Sequence, residues 1–323
     1  MARAQAPDLT GQVVIVTGAN AGIGKETAVA LARLGATVVM TARTRSKGEE
    51  ALAEVQRRTG TTSAVLGDLD LGSFASVRAF AAWFLSSFDR LDVLVNNAGL
   101  ITDTRRETVD GFEEMFGVNH LGHFLLTDLL RERLVASAPA RVVVVSSFAH
   151  RWAIGGLPRT DLQSTGSFSG FSAYGRSKLA NALFALESAR RLHGTGVTVN
   201  AVHPGSINSH FGADGDTGVL AWFIKVFGGI VLRSPEAGAR TSVLLASSAD
   251  PRIAGATGGY WSHGRRWRPS RQARDEAQAR WLWEESERLV ASGAGAPVRP
   301  RPGLAGVPRP PLRPGGGCAG GGG

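Results

Sequence analysis

The chain has 323 residues, 43% of them hydrophobic and 20% charged, enough apolar material for one large domain or two small ones. Thirty-six basic residues against 27 acidic give +9, with only four lysines; four arginines and no acid fall in residues 292–323, leaving +5 elsewhere, so the total does not imply a nucleic-acid partner. The single cysteine, Cys318, excludes a disulfide framework and a cysteine metal site, and the start MARAQAPDLTG lacks the apolar run of a signal peptide or membrane anchor, so a cytoplasmic protein is expected.

Residues 1–10 read as an N-terminal extension. From residue 11 to about 206, short β-branched runs alternate with helical patterns: VVIVT 13–17, ATVVM 36–40, SAVLG 63–67, LDVLV 91–95, RVVVV 141–145 and VTVNAV 197–202. Each run is apolar on both faces, as parallel strands covered by helices on both sides require. Strand and helix recurring every 25–30 residues or so predict an α/β fold, a doubly wound parallel Rossmann sheet of about seven strands in a single domain over 11–291. Three later segments complete it: an apolar stretch over 219–232, a helix opening at Ser234-Pro235-Glu236 with Ser234 as its N-cap, and a short strand near Gly259-Tyr260-Trp261. A final amphipathic helix is expected from Ser270 to about Ala291. Residues 292–323 hold eleven glycines and seven prolines; with so few apolar side chains to offset ordering entropy, they read as a disordered tail.

The first strand runs into Thr17-Gly18-Ala19-Asn20-Ala21-Gly22-Ile23-Gly24 and a helix through Leu34. Glycines let the backbone approach a pyrophosphate, whose charge the free N–H groups of the helix N-terminus favour, so Gly18, Asn20, Gly22, Ile23 and Gly24 are expected to bind a dinucleotide. At the end of the second strand, Met40-Thr41-Ala42-Arg43, there is no acid to accept from a ribose 2′-hydroxyl. Arg43, with Arg45 and Lys47 behind it, reads as a partner for a 2′-phosphate, favouring NADP(H) over NAD(H), or else as a solvated basic turn. Ser146-Ser147 ends the fifth strand at the carboxyl edge, where such sheets bind ligands, or caps the turn there. Tyr174 and Lys178 are four apart in a helical pattern over 171–191, so both project from one face. An ammonium near a phenol favours the phenolate and lowers its pKa from about 10 towards the working pH, which makes a general acid/base. His120 and His123 lie three apart without a third ligand at suitable spacing, and no metal site is expected.

The spacing Gly-x-x-x-Gly-x-Gly, the run Asn96-Asn97-Ala98-Gly99 and the Tyr174/Lys178 pair resemble the short-chain dehydrogenase/reductase superfamily, over roughly residues 9–290. The segment from Asp110 to Thr127, the run Ser177-Lys178-Leu179-Ala180-Asn181 and the long stretch between Ser147 and Tyr174 are most similar to its retinol dehydrogenase-like branch. The resemblance implies that Asp70, with Leu71 beside it, contacts the adenine, and that Asn97, Ala98 and Gly99 wall the cofactor cleft. It selects Ser147 to hold the substrate oxygen beside Tyr174. Asn119 would hold a water leading protons towards Lys178, or serve only as a structural helix residue. Pro204, Gly205, Ile207 and Ser209 would face the nicotinamide and phosphates. The segment 206–233, with Trp222 and Phe223, would be a substrate lid, where the plain alternative is a core helix. These expectations add up to an NADP(H)-dependent oxidoreductase interconverting a carbonyl and an alcohol on a small lipophilic substrate that is retinoid-like, steroid-like or an aliphatic aldehyde; the alternative is a non-catalytic NADP(H)-binding protein. A homo-oligomer, peripheral contact with a membrane and no specific nucleic acid are expected. The chain departs from many animal members of the branch in lacking an N-terminal membrane anchor and in carrying Ala21 where their glycine turn often has a polar residue.

Overall fold

The computed structural model describes residues 7–205 and 234–292. In β1 (Val13–Val16), Val13 and Ile15 enter one buried cluster while Val14 and Val16 enter another, because successive side chains leave a strand on opposite faces. The same division runs through β2 (Thr37–Ala42), β4 (Val93–Asn96) and β5 (Ala140–Val145), with Val39, Leu94 and Val144 on the first side and Val38, Val95 and Val143 on the second. Two dry faces explain why these runs are apolar throughout.

The remaining strands are β3 (Ala64–Asp68), β6 (Val197–His203), β7 (Tyr260–Ser262) and β8 (Arg265–Trp267). They form one sheet in the order β3-β2-β1-β4-β5-β6-β7-β8, parallel except for the antiparallel β7–β8 pair. On the second side lie α1 (Gly22–Arg33) and α2 (Arg45–Thr59); on the first lies α3 (Phe74–Ser87). Then come α4 (Glu114–Phe116), a π-helical turn Gly117–Leu121, α5 (Gly122–Leu129), α6 (Arg131–Ala136) and α7 (Gly170–Arg191). Past β6 the described helices are α8 (Pro235–Ser247), α9 (Pro251–Ala254) and α10 (Glu276–Ser292). Helices α5, α7 and α10 join the first cluster, and α8 joins the second through Leu245 and Ala246. The chain winds outward from β1 to β3 and then returns to the other side of β1 with β4, which opens a crevice at their carboxyl ends.

Two expectations shift. An eighth strand follows the expected seven, made by a turn in which His263 and Gly264 both have positive φ, 52° and 71°, the conformation of a type I′ hairpin. The last helix begins at Glu276 rather than Ser270. Ser270 spends its N–H on His150 Nε2 and its hydroxyl on the Ala273 N–H, within a 3₁₀ turn at Gln272–Arg274; the Asp275 carboxylate then accepts the Gln278 N–H and caps α10. Ser234 caps α8 as expected, accepting the Ala237 N–H at 3.4 Å. Residues 1–6, 206–233 and 293–323 lie outside the described residues, and with them the expected lid and the glycine-rich tail. Among the described residues no helix is long and apolar enough to cross a membrane.

Trp283 locks α10 over α5 and α7. Its ring lies 4.9 Å from Phe124, 5.9 Å from Phe184 and 4.5 Å from the Arg191 guanidinium, and its indole N–H donates to Glu287 at 2.7 Å. Trp283→Ala is expected to cost about 3–5 kcal/mol, read as a lower urea midpoint, and Trp283→Phe less than half of that.

Candidate active site

At the start of α1 the N-cap residue is Ala21, which offers no side-chain acceptor to the first turn, so the helix N–H groups there are left for a ligand. Gly18 and Gly22 have positive φ, 63° and 53°, a conformation that favours glycine. A Cβ on Gly24 would stand 2.3 Å from the Gly18 carbonyl oxygen and 2.5 Å from Asn97 Nδ2. Asn97 Nδ2 in turn donates to the Thr17 carbonyl at 2.8 Å. Asn20 and Ile23 are half-buried on the same turn, and Asn97, Ala98 and Gly99 follow β4 directly across from it. These residues face one another across a glycine-rich turn at a helix N-terminus, the kind of place that suits an anion.

Tyr174 and Lys178, one turn apart on α7, are both buried, at 6% and 2% exposure. The ammonium lies 5.6 Å from the centre of the phenol ring, 3.4 Å from the Val145 carbonyl, and against Gly99, where a Cβ would meet it at 3.1 Å. Burial governs both groups. It pushes the phenol up to about 12, with a hydrogen bond to Ser147 pulling the other way, and the ammonium down to about 8. Burial of the phenol thus acts against the lowering expected from Lys178, because desolvation disfavours a phenolate. The two serines also separate. Ser146 donates to the Lys178 carbonyl at 2.7 Å and fastens α7 to β5, while Ser147 stands half-buried at the strand end with its hydroxyl towards Tyr174 and the Ala149 N–H. Ile101, Met115, Ala149 and Ala173 surround Tyr174 with apolar surface.

Asn119 lies in the π-helical turn, fully buried. Its Oδ1 accepts from the Leu100 N–H at 2.8 Å, and its Nδ2 donates to the Leu100 carbonyl and the Ser177 hydroxyl, both at 3.0 Å. A Cβ on Gly99 would also meet its Oδ1 at 3.2 Å, so Asn119, Gly99 and Lys178 converge. Arg43 is exposed at the carboxyl end of β2. Arg45 is engaged elsewhere, by Asp68 and Glu49 at 2.9 Å each. Asp70 is half-buried, its carboxylate accepting the Gly72 N–H at 3.0 Å. The Leu71 side chain belongs to the core, and its carbonyl is packed against Gly122, where a Cβ would meet it at 2.4 Å. Pro204 and Gly205 leave β6 half-buried, with the Gly205 N–H on His203 Nδ1 at 3.3 Å. Ile207, Ser209, Trp222 and Phe223 lie outside the described residues. Sequence reasoning missed four buried side chains that grip this site: Thr17, His123, His150 and Tyr260. Each has one partner too distant in the chain for a spacing signal: Thr17 and His123 are 106 residues apart, His150 and Ser270 120, and Tyr260 and Ser147 113.

A model of the short chain dehydrogenase family matches residues 12–159. Human retinol dehydrogenase 14 is 42% identical over 294 residues, covering 87% of this chain and 86% of that protein. Human retinol dehydrogenase 12 is 46% identical over 284 residues, covering 87% of each. Among solved structures, a putative uncharacterized protein from Mycobacterium paratuberculosis is 37% identical with a TM-score of 0.70, covering 89% of this chain and 96% of that one.

Lys178 supplies a test of the electrostatics. Below pH 8 both folded and unfolded chains hold its proton, and the penalty for burying the ammonium is complete; between about 8 and 10.5 the unfolded state binds more protons, so wild-type stability gains as pH rises. Lys178→Met removes that penalty. The variant is expected to melt about 2–4 °C above wild type at pH 7, with the gap shrinking by pH 10; a variant melting below wild type at pH 7 refutes the account.

Proposed function

The chain belongs to the short-chain dehydrogenase/reductase superfamily, in its retinol dehydrogenase-like branch, and from that premise we propose that it reduces the carbonyl of a lipophilic, retinoid-like substrate with NADPH. An oxidoreductase of this family uses a nicotinamide cofactor. The observation that carries the finer reading is the meeting of the buried Tyr174 and Lys178 with the half-buried Ser147 hydroxyl beside the glycine turn. Gly18, Gly22 and Gly24 would hold the pyrophosphate, and Arg43 would pair with a 2′-phosphate. When bound, the dinucleotide supplies the hydride.

Ser147 orients the carbonyl oxygen by donating to it. Tyr174 then gives its proton to the same oxygen as it gains negative charge. A phenol pushed up by burial is protonated at neutral pH and is still far more acidic than an alcohol, whose pKa is about that of water, near 16, so it can give its proton to the oxygen of a carbonyl being reduced. Lys178, mostly charged at pH 7 even when lowered to about 8, stabilises the phenolate left behind, which regains its proton from solvent by a relay past Lys178 and Asn119. The apolar surround of Tyr174 excludes water from the reacting oxygen and suits a hydrocarbon substrate. That preference agrees with the retinol in the names of the relatives.

Tyr174→Phe is expected to lower kcat for an apolar aldehyde at least a hundredfold while the NADPH dissociation constant stays within about threefold; a variant turning over at the wild-type rate sinks the mechanism. Arg43→Ser is expected to raise the KM for NADPH about tenfold and leave that for NADH within about twofold. Equal effects on both would remove the 2′-phosphate assignment.

A further inference from the structure

Two buried imidazoles outside the acid/base set share one arrangement. His123 Nδ1 lies 3.0 Å from the Asn119 carbonyl oxygen, and its Nε2 lies 2.9 Å from the Thr17 hydroxyl. His150 Nδ1 lies 2.7 Å from the Ser147 carbonyl oxygen, and its Nε2 accepts the Ser270 N–H at 3.1 Å. A carbonyl oxygen only accepts, so Nδ1 carries the proton in both rings and Nε2 offers its lone pair. Each ring therefore spans from the main chain of a site residue to a segment more than a hundred residues away.

We propose that His123 and His150 are positioning residues, a matched pair of neutral rings that hold the site from opposite sides: His123 fixes Asn119 against the glycine turn, and His150 fixes Ser147 against the segment entering α10. The assignment of work to Asn119 and Ser147 rests on the reading above.

Several observations support the pairing. A protonated ring would lose the acceptor at Nε2. Both rings are held neutral, pushed down to about 4 by burial, with the nearby Lys178 charge adding to it for His123 and the Arg151 charge for His150. The one Thr17 hydroxyl hydrogen goes to His123 at 2.9 Å in preference to the Val95 carbonyl at 3.3 Å, and its oxygen accepts from the Asn97 and Ala98 N–H groups at 2.8 and 2.9 Å, so His123 reaches the glycine turn through one hydroxyl. On the other side the Ser147 carbonyl takes three donors: the His150 N–H at 3.1 Å, its Nδ1–H, and the Tyr260 hydroxyl at 3.1 Å. A serine carbonyl so heavily constrained fixes the main chain from which the Ser147 hydroxyl projects. His203 differs in tautomer. Its Nδ1 accepts from the Phe148 and Gly205 N–H groups, both at 3.3 Å, so its proton sits on Nε2.

The test uses the full chain with 15N-labelled histidine at pH 7. Long-range 1H–15N spectra, assigned through single variants, should show the Nδ1–H tautomer for His123 and His150 and the Nε2–H tautomer for His203. In kinetics, His123→Phe should lower kcat at least tenfold with the carbonyl KM within twofold, and His150→Phe should raise the carbonyl KM at least fivefold. Asn, whose Nδ2 stands where Nδ1 does, should recover threefold or more of each loss. An Nε2–H tautomer or a charged ring at position 123 or 150 overturns the proposal, and so do Phe variants that fold and turn over within twofold of wild type. If the Phe variants do not fold, the wild-type tautomers decide. A wild-type protein inactive on every carbonyl defeats the proposed function and leaves the tautomer result standing on its own.

Discussion

Where β1 and β4 leave the sheet, the Thr17 hydroxyl binds the Asn97 and Ala98 N–H groups, and the Asn97 side chain returns a hydrogen bond to the Thr17 carbonyl. This mutual grip draws two strand ends together at the point where the sheet would otherwise splay into a crevice. Its cost is steric. With the strand ends so close, a side chain at Gly24 would collide with both the Gly18 carbonyl and Asn97, and one at Gly18 would press on Ala98. The glycines therefore serve the closure of the protein's own backbone before they serve the approach of a phosphate. The glycine turn and the Asn-Asn-Ala-Gly run, 80 residues apart in the chain, are two halves of one junction.

The same junction sets the electrostatics of the site. Closing the strand ends and laying α7 across them leaves the Lys178 ammonium against Gly99 and the Val145 carbonyl, with little water to solvate it. In that setting proximity of opposite charges is the weaker influence, and desolvation disfavours both the phenolate and the ammonium. The proposed reduction would gain from this: Tyr174 would begin protonated, and the negative charge it acquired would appear only as the proton left, beside a cation already in place and needing no reorganisation.

What the sequence discloses is whatever depends on neighbours within a few residues. The strands of the sheet, the glycine turn, the Ser234 cap and the Tyr174/Lys178 face are all local patterns, and each stands where its residues indicate. The choice between Ser146 and Ser147 depends on which hydroxyl the α7 backbone intercepts, and no spacing encodes that; the Lys178 carbonyl takes Ser146. The direction of the Tyr174 shift depends on apolar residues brought in from Ile101, Met115 and Ala149. The eighth strand, Arg265–Trp267, is exposed and charged, so hydrophobic patterning carries no trace of it. It exists because a His-Gly turn folds it back on β7. The helical pattern expected from residue 270 opens instead with a 3₁₀ turn, where the Ser270 hydroxyl accepts the Ala273 N–H, and Asp275 caps α10 five residues later.

The imbalance between 32 arginines and four lysines follows from what the two cations do in this fold. Arginines reach across the structure to carbonyls at the ends of helices they do not belong to. Arg133 donates to Leu85 and Phe88 at the end of α3, Arg141 to Leu245 and Ser248 at the end of α8, Arg78 to Val290 in α10, and Arg33 to Arg58 in α2. Those carbonyls have no partner inside their own helix, and a planar fork with five N–H groups satisfies two of them at once where an ammonium on a flexible stem cannot hold that geometry. Position 178 sets the opposite requirement. An arginine there would stay charged at every accessible pH and would bring a planar group to a space bounded by the Gly99 backbone, whereas a lysine presents a compact charge whose proton the surroundings have already loosened. The buried lysine thus occupies a position whose shape and solvation an arginine would not suit.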